Sequence, residues 1–498
     1  MTGKGNVLFI TVDQMALQVL SGPLAAHVAT PNIDRLARGA ANFGNHFTVT
    51  VPCGPARASL LTGLYAMNHR AIRNGTPLAR HHATLGTEAR KAGYEPLLFG
   101  YSDITPDPTQ LDPEDPDLLS YEGVAPGFRE LVEMRLDDGL EWPAYLRAKG
   151  YDFVMDGAKV PDVFRPRGPG NAPRPSDPAL YSAEDSDTAY LADRTLQALD
   201  IRRQKPWFAH VTFIRPHPPL VAPAPYNRMV DPAGLPVPNF TKPDHPFLDA
   251  WFSAPASTGL FWGFDGDCAA LPDTVIGELR AVYLGLMAEV DHHIGRLLDW
   301  LDATGQTERT LVVLTADHGE MLGEKRMWGK ESVFDPAFRI PLIIRDPRAC
   351  KAAHLTAMTE SVDIAPTILD WIGRSAPEAM DGRSLLPLVH GGHPADWRDA
   401  VFLEADFGDP ATPTRFQRHL GLTSNQTGVS ILREERWKYV HFGGGLPPLL
   451  FDLSADPMET LDRAGDPACA TELTRLARRL IDRMSERRDR RLTHFQFG

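Results

Sequence analysis

Cysteine is scarce. The chain of 498 residues holds four, Cys53, Cys268, Cys350 and Cys469, far apart and without CxxC spacing. That pattern excludes a disulfide scaffold and a thiolate-rich structural zinc site, and it fits a reducing compartment. No apolar run approaches the roughly 18 residues of a membrane-spanning helix. The opening MTGKGNVLFITVDQM halts its apolar run at Asp13 and shows no small-residue cleavage site, so it reads as a strand and not a secretory signal. A cytoplasmic location is the expectation. Positive charge is also in deficit: 51 Lys and Arg against 64 Asp and Glu leave a net charge of −13. Nucleic-acid and membrane-surface partners are therefore not expected, since both need a positive field. An anionic substrate would need a local cation to overcome the field of the whole protein.

What is present is a large core: 43% of residues are hydrophobic, enough for an extensive buried interior. Short, almost uninterrupted apolar runs lie at 7–12, 96–99, 208–214, 311–314 and 341–344. Such runs match strands buried on both faces of a parallel sheet. Helical patterns separate them. Over 278–301, Leu284, Met287, Val290, Ile294, Leu297, Leu298 and Leu301 recur at helical spacing, and Gly305 follows as a stop signal. The alternation predicts a doubly wound α/β lobe, and the length predicts a second, smaller one. Two proline-rich stretches, 104–178 and 221–270, break the pattern and are expected to be surface insertions that wall a site. Near Gly382 the composition changes. VFLEADF, SILREERWKYVHF and LLFDL, within 401–453, predict a small antiparallel sheet, closed by a helix over 470–484. The expected division is 1–381 for the larger lobe and 382–498 for the smaller.

Polar residues follow the carboxyl ends of the predicted strands: Asp13 and Gln14, Tyr101 and Asp103, His217, then Asp317 and His318. In open α/β sheets that edge binds ligands. Asp13, Gln14, Asp317 and His318 form a mixed oxygen and nitrogen set suited to Ca²⁺ or Mn²⁺. Taken singly, each also fits as a cap or turn residue. In VPCGPARASLLTGLY, Pro55 suits the first turn of a helix through 56–61. Cys53 then sits near a helix amino terminus, where backbone donors favour negative charge, and Arg57 can fold back towards it. Alone, Cys53 would be a small buried hydrophobe and Arg57 a surface cation.

CGPAR matches the CxPxR motif, and the chain resembles the sulfatase branch of the alkaline phosphatase superfamily. NVLFITVDQ, TPNIDRLARGA, VPCGPARASLLTGLYAMNHR, RPHPP, LTADHGE, GEKRMWGK, FRIPLIIRDP, DGRSLLP and LFDLSADPMET follow in family order. Several of them, with the DRRLTH tail, resemble phosphonate monoester hydrolases. The resemblance implies a large mixed, mostly parallel sheet flanked by helices, with a smaller carboxyl-terminal α+β lobe. It implies that Cys53 is oxidised to formylglycine by a generating enzyme, a transient partner. Asp13, Gln14, Asp317 and His318, with that residue, would hold one divalent ion, Mn²⁺ or Ca²⁺. Arg57 would stabilise the hydrated aldehyde, and Asn74, Tyr101, His217 and Lys330 match positions that bind the transferred group or handle protons. One hydroxyl of the diol attacks phosphorus or sulfur; the other, on losing a proton, expels the product from a hemiacetal ester by C–O cleavage. His217 is the first candidate for the acid that protonates the leaving group.

Arylsulfatases of the superfamily tend to carry paired aspartates after the first strand, a serine in CxPSR and a GKWH-like block. Here stand Gln14, Ala56 and GYSD at 100–103. A less negative metal site and a lost cationic clamp favour phosphonate monoesters and phosphodiesters, small anionic esters, over sulfates, with sulfate hydrolysis as a side activity. Asp103 replaces a hydroxyl residue of the relatives and bears on the leaving group. An arylsulfatase or choline-type sulfatase is the alternative enzyme; an unmodified anion-binding protein is the non-enzymatic one. His81, His82, His292 and His293 are read as structural, and the arginines of 475–491 as a solvated face. Phe495 and Phe497 on the tail suggest docking onto another subunit, and relatives imply a homo-oligomer, with a tetramer expected. Intact-mass spectrometry checks the nucleophile: conversion of the Cys53 thiol lowers the mass by about 18 Da and abolishes its alkylation. Light scattering checks the assembly, where a monomeric mass would contradict the tetramer.

Overall fold

The computed structural model describes residues 4–137, 139–154, 162–168, 174–349 and 352–488. The expected tail contacts at 489–498, and Cys350, lie outside the described residues. The first apolar run becomes the strand Asn6–Val12, buried throughout. It lies between Phe208–Phe213 and Thr310–Ala316, parallel to both. These three strands form the middle of an eight-stranded sheet with the order Ala353–Leu355, Ala41–Phe43, Leu342–Arg345, Thr310–Ala316, Asn6–Val12, Phe208–Phe213, Pro96–Gly100, Arg129–Glu133. Leu342–Arg345 runs antiparallel to both neighbours, so the sheet is mixed and mostly parallel. All five expected strands are present, with their ends shifted by one or two residues.

The predicted long helix spans Asp273–Ala303, and the seven apolar residues that marked it are all buried. Its polar residues are used too. Asp291 accepts the backbone N–H groups of Asn32 and Ile33, at 3.1 and 2.7 Å, at the start of the helix Pro31–Arg38. His293 is buried and its neighbour His292 exposed, with ring centroids 5.0 Å apart. His81 and His82 come closer, at 4.1 Å.

The stretch 104–178 is more than surface loop. Within it Arg129–Glu133 pairs with Pro96–Gly100 as the sheet's edge strand, and Glu141–Ala148 is a helix. RELVE is short, charged and largely unburied, as an edge strand must be to avoid pairing with another chain, and so it lacks the apolar run that marks a central strand. The stretch 221–270 contains one α-helix, Pro246–Phe252, and two short 3-10 turns, Tyr226–Arg228 and Pro232–Gly234.

A second sheet collects Ala400–Asp406, Gly428–Glu434, Trp437–Phe442 and Leu449–Asp452 as an antiparallel meander. Its fifth strand, Thr50–Val51, comes from far upstream and pairs in parallel with Ala400–Asp406. The chain passes from that strand through Pro52 into the helix Cys53–Thr62, so the second sheet locates Cys53. The helix Ala470–Glu486 covers the second sheet through Leu476 and Leu480. Among the described residues no helix is long and apolar enough to cross a membrane.

Buried ion pairs tie the loop before Ala400–Asp406 to the strand Thr359–Glu360, which pairs with His46–Phe47 in a third, two-stranded sheet. Arg398 spans Asp363 and Glu360, 2.8 and 3.3 Å away, and Glu360 also accepts the Tyr65 hydroxyl at 2.6 Å and the Phe402 N–H at 2.8 Å. Arg398→Ala leaves the buried Asp363 without its cation and Glu360 with only the more distant Arg483, 3.9 Å away. The expected loss is about 3–5 kcal/mol of unfolding free energy, read as a lower urea midpoint; an unchanged midpoint would show that the pairs do not hold the lobes.

Candidate active site

The strand ends bring most of the expected residues together. Asp13 follows the central strand and Asp317 its parallel neighbour, which sets their carboxylates side by side in a fully buried position. Two adjacent carboxylates out of water repel each other, and burial followed by the Asp317 charge raises the pKa of Asp13. Arg57 offsets this repulsion. Its Nε donates to Asp317 Oδ2 at 2.9 Å and its Nη2 to Asp13 Oδ2 at 3.1 Å, while Nη1 donates to the Tyr101 carbonyl at 2.9 Å. The guanidinium lies 4.0 Å from the centre of the Tyr101 ring, whose hydroxyl donates to Asp13. Arg57 therefore turns towards the carboxylates.

Cys53 opens its helix, and its Sγ lies 3.1 Å from His318 Nε2. Burial pushes the thiol pKa well up, so an unaltered thiol there is a poor nucleophile. His318 Nδ1 donates to the Gly319 carbonyl at 3.0 Å, which leaves Nε2 a lone pair. Asp13, Cys53, Asp317 and His318 each offer a ligand atom, and these atoms lie within 4.8 Å of one another. Asp13 Oδ1 is buried without a hydrogen-bond partner. An orphan carboxylate oxygen, a second carboxylate and a free imidazole nitrogen fit a divalent cation.

Gln14 carries a positive φ of 60° and is steered from behind. Its Nε2 donates to Glu320, which also accepts N–H bonds from Leu322 at 2.9 Å and Gly329 at 2.6 Å. That contact fixes which way the amide points: Oε1 accepts from Lys330 Nζ at 2.8 Å. Lys330 also donates to His217 Nε2 at 3.0 Å, and His217 Nδ1 donates to the Pro218 carbonyl at 2.6 Å. His217 is thus neutral, and burial with the Lys330 charge holds its pKa well below the ordinary value. For Lys330, burial opposes the charge, but Cys53, Asp13 and Asp317 outweigh it and raise the pKa.

Asn74 Oδ1 accepts the N–H of Gly54 at 2.9 Å and so secures the first turn of the Cys53 helix. A side chain at Gly54 would meet that oxygen and the Asp103 carbonyl, each 3.2 Å from its Cβ. Asp103, at a positive φ of 53°, is buried with Oδ1 unpartnered; burial, then Glu122 against the pull of Arg57, raises its pKa well above the usual range.

A cavity of about 440 Å³ opens on this cluster. Gln14, Asn74, His217 and Lys330 line it; Tyr101 and Asp103 do not. Leu136 and Asp137 from the first insertion, Leu260 from the second, and Phe407 from the second sheet complete the walls. Glu320 stands in LTADHGE without a role assigned from the sequence, because steering an amide needs no recognisable spacing. Arg73, Trp328 and Phe407 also line the cavity; Trp328 stands in GEKRMWGK and Phe407 ends VFLEADF, but no role was assigned to any of the three from the sequence.

A sulfatase family profile matches residues 5–374, and one for the carboxyl-terminal region of N-sulphoglucosamine sulphohydrolase matches 323–487. The chain is 39% identical to the multifunctional alkaline phosphatase superfamily protein PehA of Trinickia caryophylli, over 100% of this chain and 98% of that protein. The phosphonate monoester hydrolase from Silicibacter pomeroyi superposes with a TM-score of 0.94 at 46% identity, covering 99% of this chain and 98% of that one. The phosphonate monoester hydrolase of Agrobacterium radiobacter superposes with a TM-score of 0.92 at 38% identity over the same shares. A buried pair of carboxylates beside a helix-opening cysteine, in this fold and with these relatives, makes the chain a hydrolase that belongs to the sulfatase family of the alkaline phosphatase superfamily.

Proposed function

We propose that the protein hydrolyses phosphonate monoesters and phosphodiesters, and sulfate monoesters more slowly. The observation that carries this reading is its near-complete superposition on two phosphonate monoester hydrolases. Gln14 adds support: an amide there leaves two carboxylates, a weaker negative field for an approaching anion. Asp13, Gln14, Asp317 and His318 would hold one Mn²⁺ or Ca²⁺, with Cys53 converted by a formylglycine-generating enzyme. The ion would lower the pKa of a hydroxyl on the hydrated aldehyde, making the nucleophile.

The remaining work falls to the protein's own groups. Arg57 and Tyr101 orient Asp13, and Arg57 keeps Asp317 ionised beside it. Asn74 holds the Cys53 helix turn whose backbone dipoles face the developing charge. Lys330, at the cavity wall, supplies the cation that an acidic protein must present to an anion. The proton between Lys330 Nζ and His217 Nε2 sits on Lys330, so Lys330 is the group placed to protonate a departing oxygen, and the neutral His217, the first candidate for that acid, orients it instead. We also propose a homo-oligomer, a tetramer, for the full chain.

Under one set of conditions, a phenyl phosphonate monoester and a bis-aryl phosphodiester should both exceed an aryl sulfate in kcat/KM; the reverse order would make the enzyme a sulfatase. Lys330→Ala should lower kcat by about 10²–10³-fold, the scale of losing one charge-stabilising donor. Glu320→Leu frees the Gln14 amide to rotate, and divalent-ion affinity should fall about 10–100-fold, as for other supports of metal ligands. Calorimetric titration of chelator-treated protein reads that change, and unaltered affinity would remove Gln14 from the ligand set.

A further inference from the structure

The loop that carries His217 is braced by a side chain outside the cavity lining. Arg215 is fully buried, with its guanidinium 4.6 Å from the centre of the Phe164 ring. Its Nε donates to Asp187 Oδ2 at 2.7 Å. Its Nη1 donates to two carbonyls, those of His217 at 3.0 Å and Pro219 at 2.8 Å. These flank Pro218, whose own carbonyl takes the Nδ1 proton of His217. The imidazole tautomer, and with it the lone pair facing Lys330, therefore depends on a loop that one guanidinium holds from both sides.

The buried Tyr181 hydroxyl is hydrogen-bonded to Arg215, and the buried Glu289 carboxyl to Ser186, the residue before Asp187. They form one cluster: Tyr181 and Glu289 each interact electrostatically with Asp187 and Arg215, and Tyr181 also with Glu289. Glu289 projects from the long helix Asp273–Ala303 and is fully buried. Burial, then the Asp187 charge, pushes its pKa up to about 8.

We propose that Arg215 is the positioning residue of His217, and that Tyr181, hydrogen-bonded to it, and Glu289, held through Ser186 beside Asp187, complete the brace. None of these groups reaches the cavity, so the effect passes through the loop. Arg is required because only a planar fork bridges two carbonyls while still pairing with Asp187. If the loop relaxes, the imidazole turns, and Nε2 leaves the 3.0 Å contact with Lys330 Nζ. The inference rests on reading the His217–Lys330 pair as the source of the leaving-group proton.

The test compares phenyl and 4-nitrophenyl esters of one phosphonate, because phenolate departs with a proton's help and 4-nitrophenolate needs little. His217→Ala, Arg215→Lys and the double variant are assayed with both. Arg215→Lys should lose about tenfold in kcat/KM on the phenyl ester yet stay within about threefold on the nitrophenyl ester, a fraction of what an acid contributes. The double variant should be no worse than His217→Ala. Equal losses on both esters in Arg215→Lys, or losses that multiply in the double variant, would overturn the positioning role while His217→Ala still discriminates. Equal losses in His217→Ala itself would overturn the reading of His217 and the proposal with it. Glu289→Leu should show the same selective loss, and Glu289→Gln, which keeps hydrogen-bonding atoms, should restore the wild-type ratio. A Leu variant with the wild-type ratio would overturn the part given to Glu289.

Discussion

Two carboxylates, Asp13 and Asp317, are buried side by side, and the arrangement of the site follows from the need to hold them there. Unpaired, such a pair would take up a proton or draw in water. Arg57 counters this with one donor to each, and it reaches them because its helix starts at the Cys53 end of the Thr50–Val51 strand. One guanidinium charge against two carboxylates leaves a deficit, and the orphan Asp13 Oδ1 shows where it is concentrated. That deficit suits the cluster to a cation, and the Lys330 ammonium carries positive charge from there to the wall of the cavity.

The electrostatics also explain why two sheets are needed. The parallel strands Asn6–Val12 and Thr310–Ala316 deliver the acids at one edge, as open α/β sheets do. The nucleophile position comes from a different direction. Thr50–Val51 pairs with Ala400–Asp406 of the second sheet, and the buried Arg398, Glu360 and Asp363 network ties the loop before Ala400–Asp406 to the strand Thr359–Glu360. Loosening the lobes would therefore shift Cys53 against its acids. The same meeting of lobes makes the cavity, with Phe407 on one wall and His217 and Lys330 on another.

Much of the architecture was legible in sequence because central strands and the long helix are buried on most sides, and burial writes uninterrupted or periodic apolar residues. The edge strand Arg129–Glu133 was not legible, since an edge is partly wet and its composition is that of a loop. Thr50–Val51 was too short to carry any period. The candidate residues Asp13, Gln14, Arg57, His217, Asp317, His318 and Lys330 were all visible, either as polar residues after strands or within motif blocks. What their partners do was not: Glu320 stands in LTADHGE and Arg215 in RPHPP, but the contacts of Glu320 with Gln14, 306 positions away, and of Arg215 with Asp187, 28 positions away, are not encoded in local sequence.

By itself, the sequence determined the class of fold, the place of the reactive cluster at the strand ends, and the residue types available there, because each of these is a local consequence of hydrophobic pattern and side-chain chemistry. Only the tertiary structure decided how those groups face one another. It turned Arg57 to the carboxylates, put the proton of His217 on Nδ1, and set Lys330 between an amide oxygen and an imidazole nitrogen. Those choices depend on hydrogen bonds between residues as much as 316 positions apart, and such bonds exist only once the chain has closed around them.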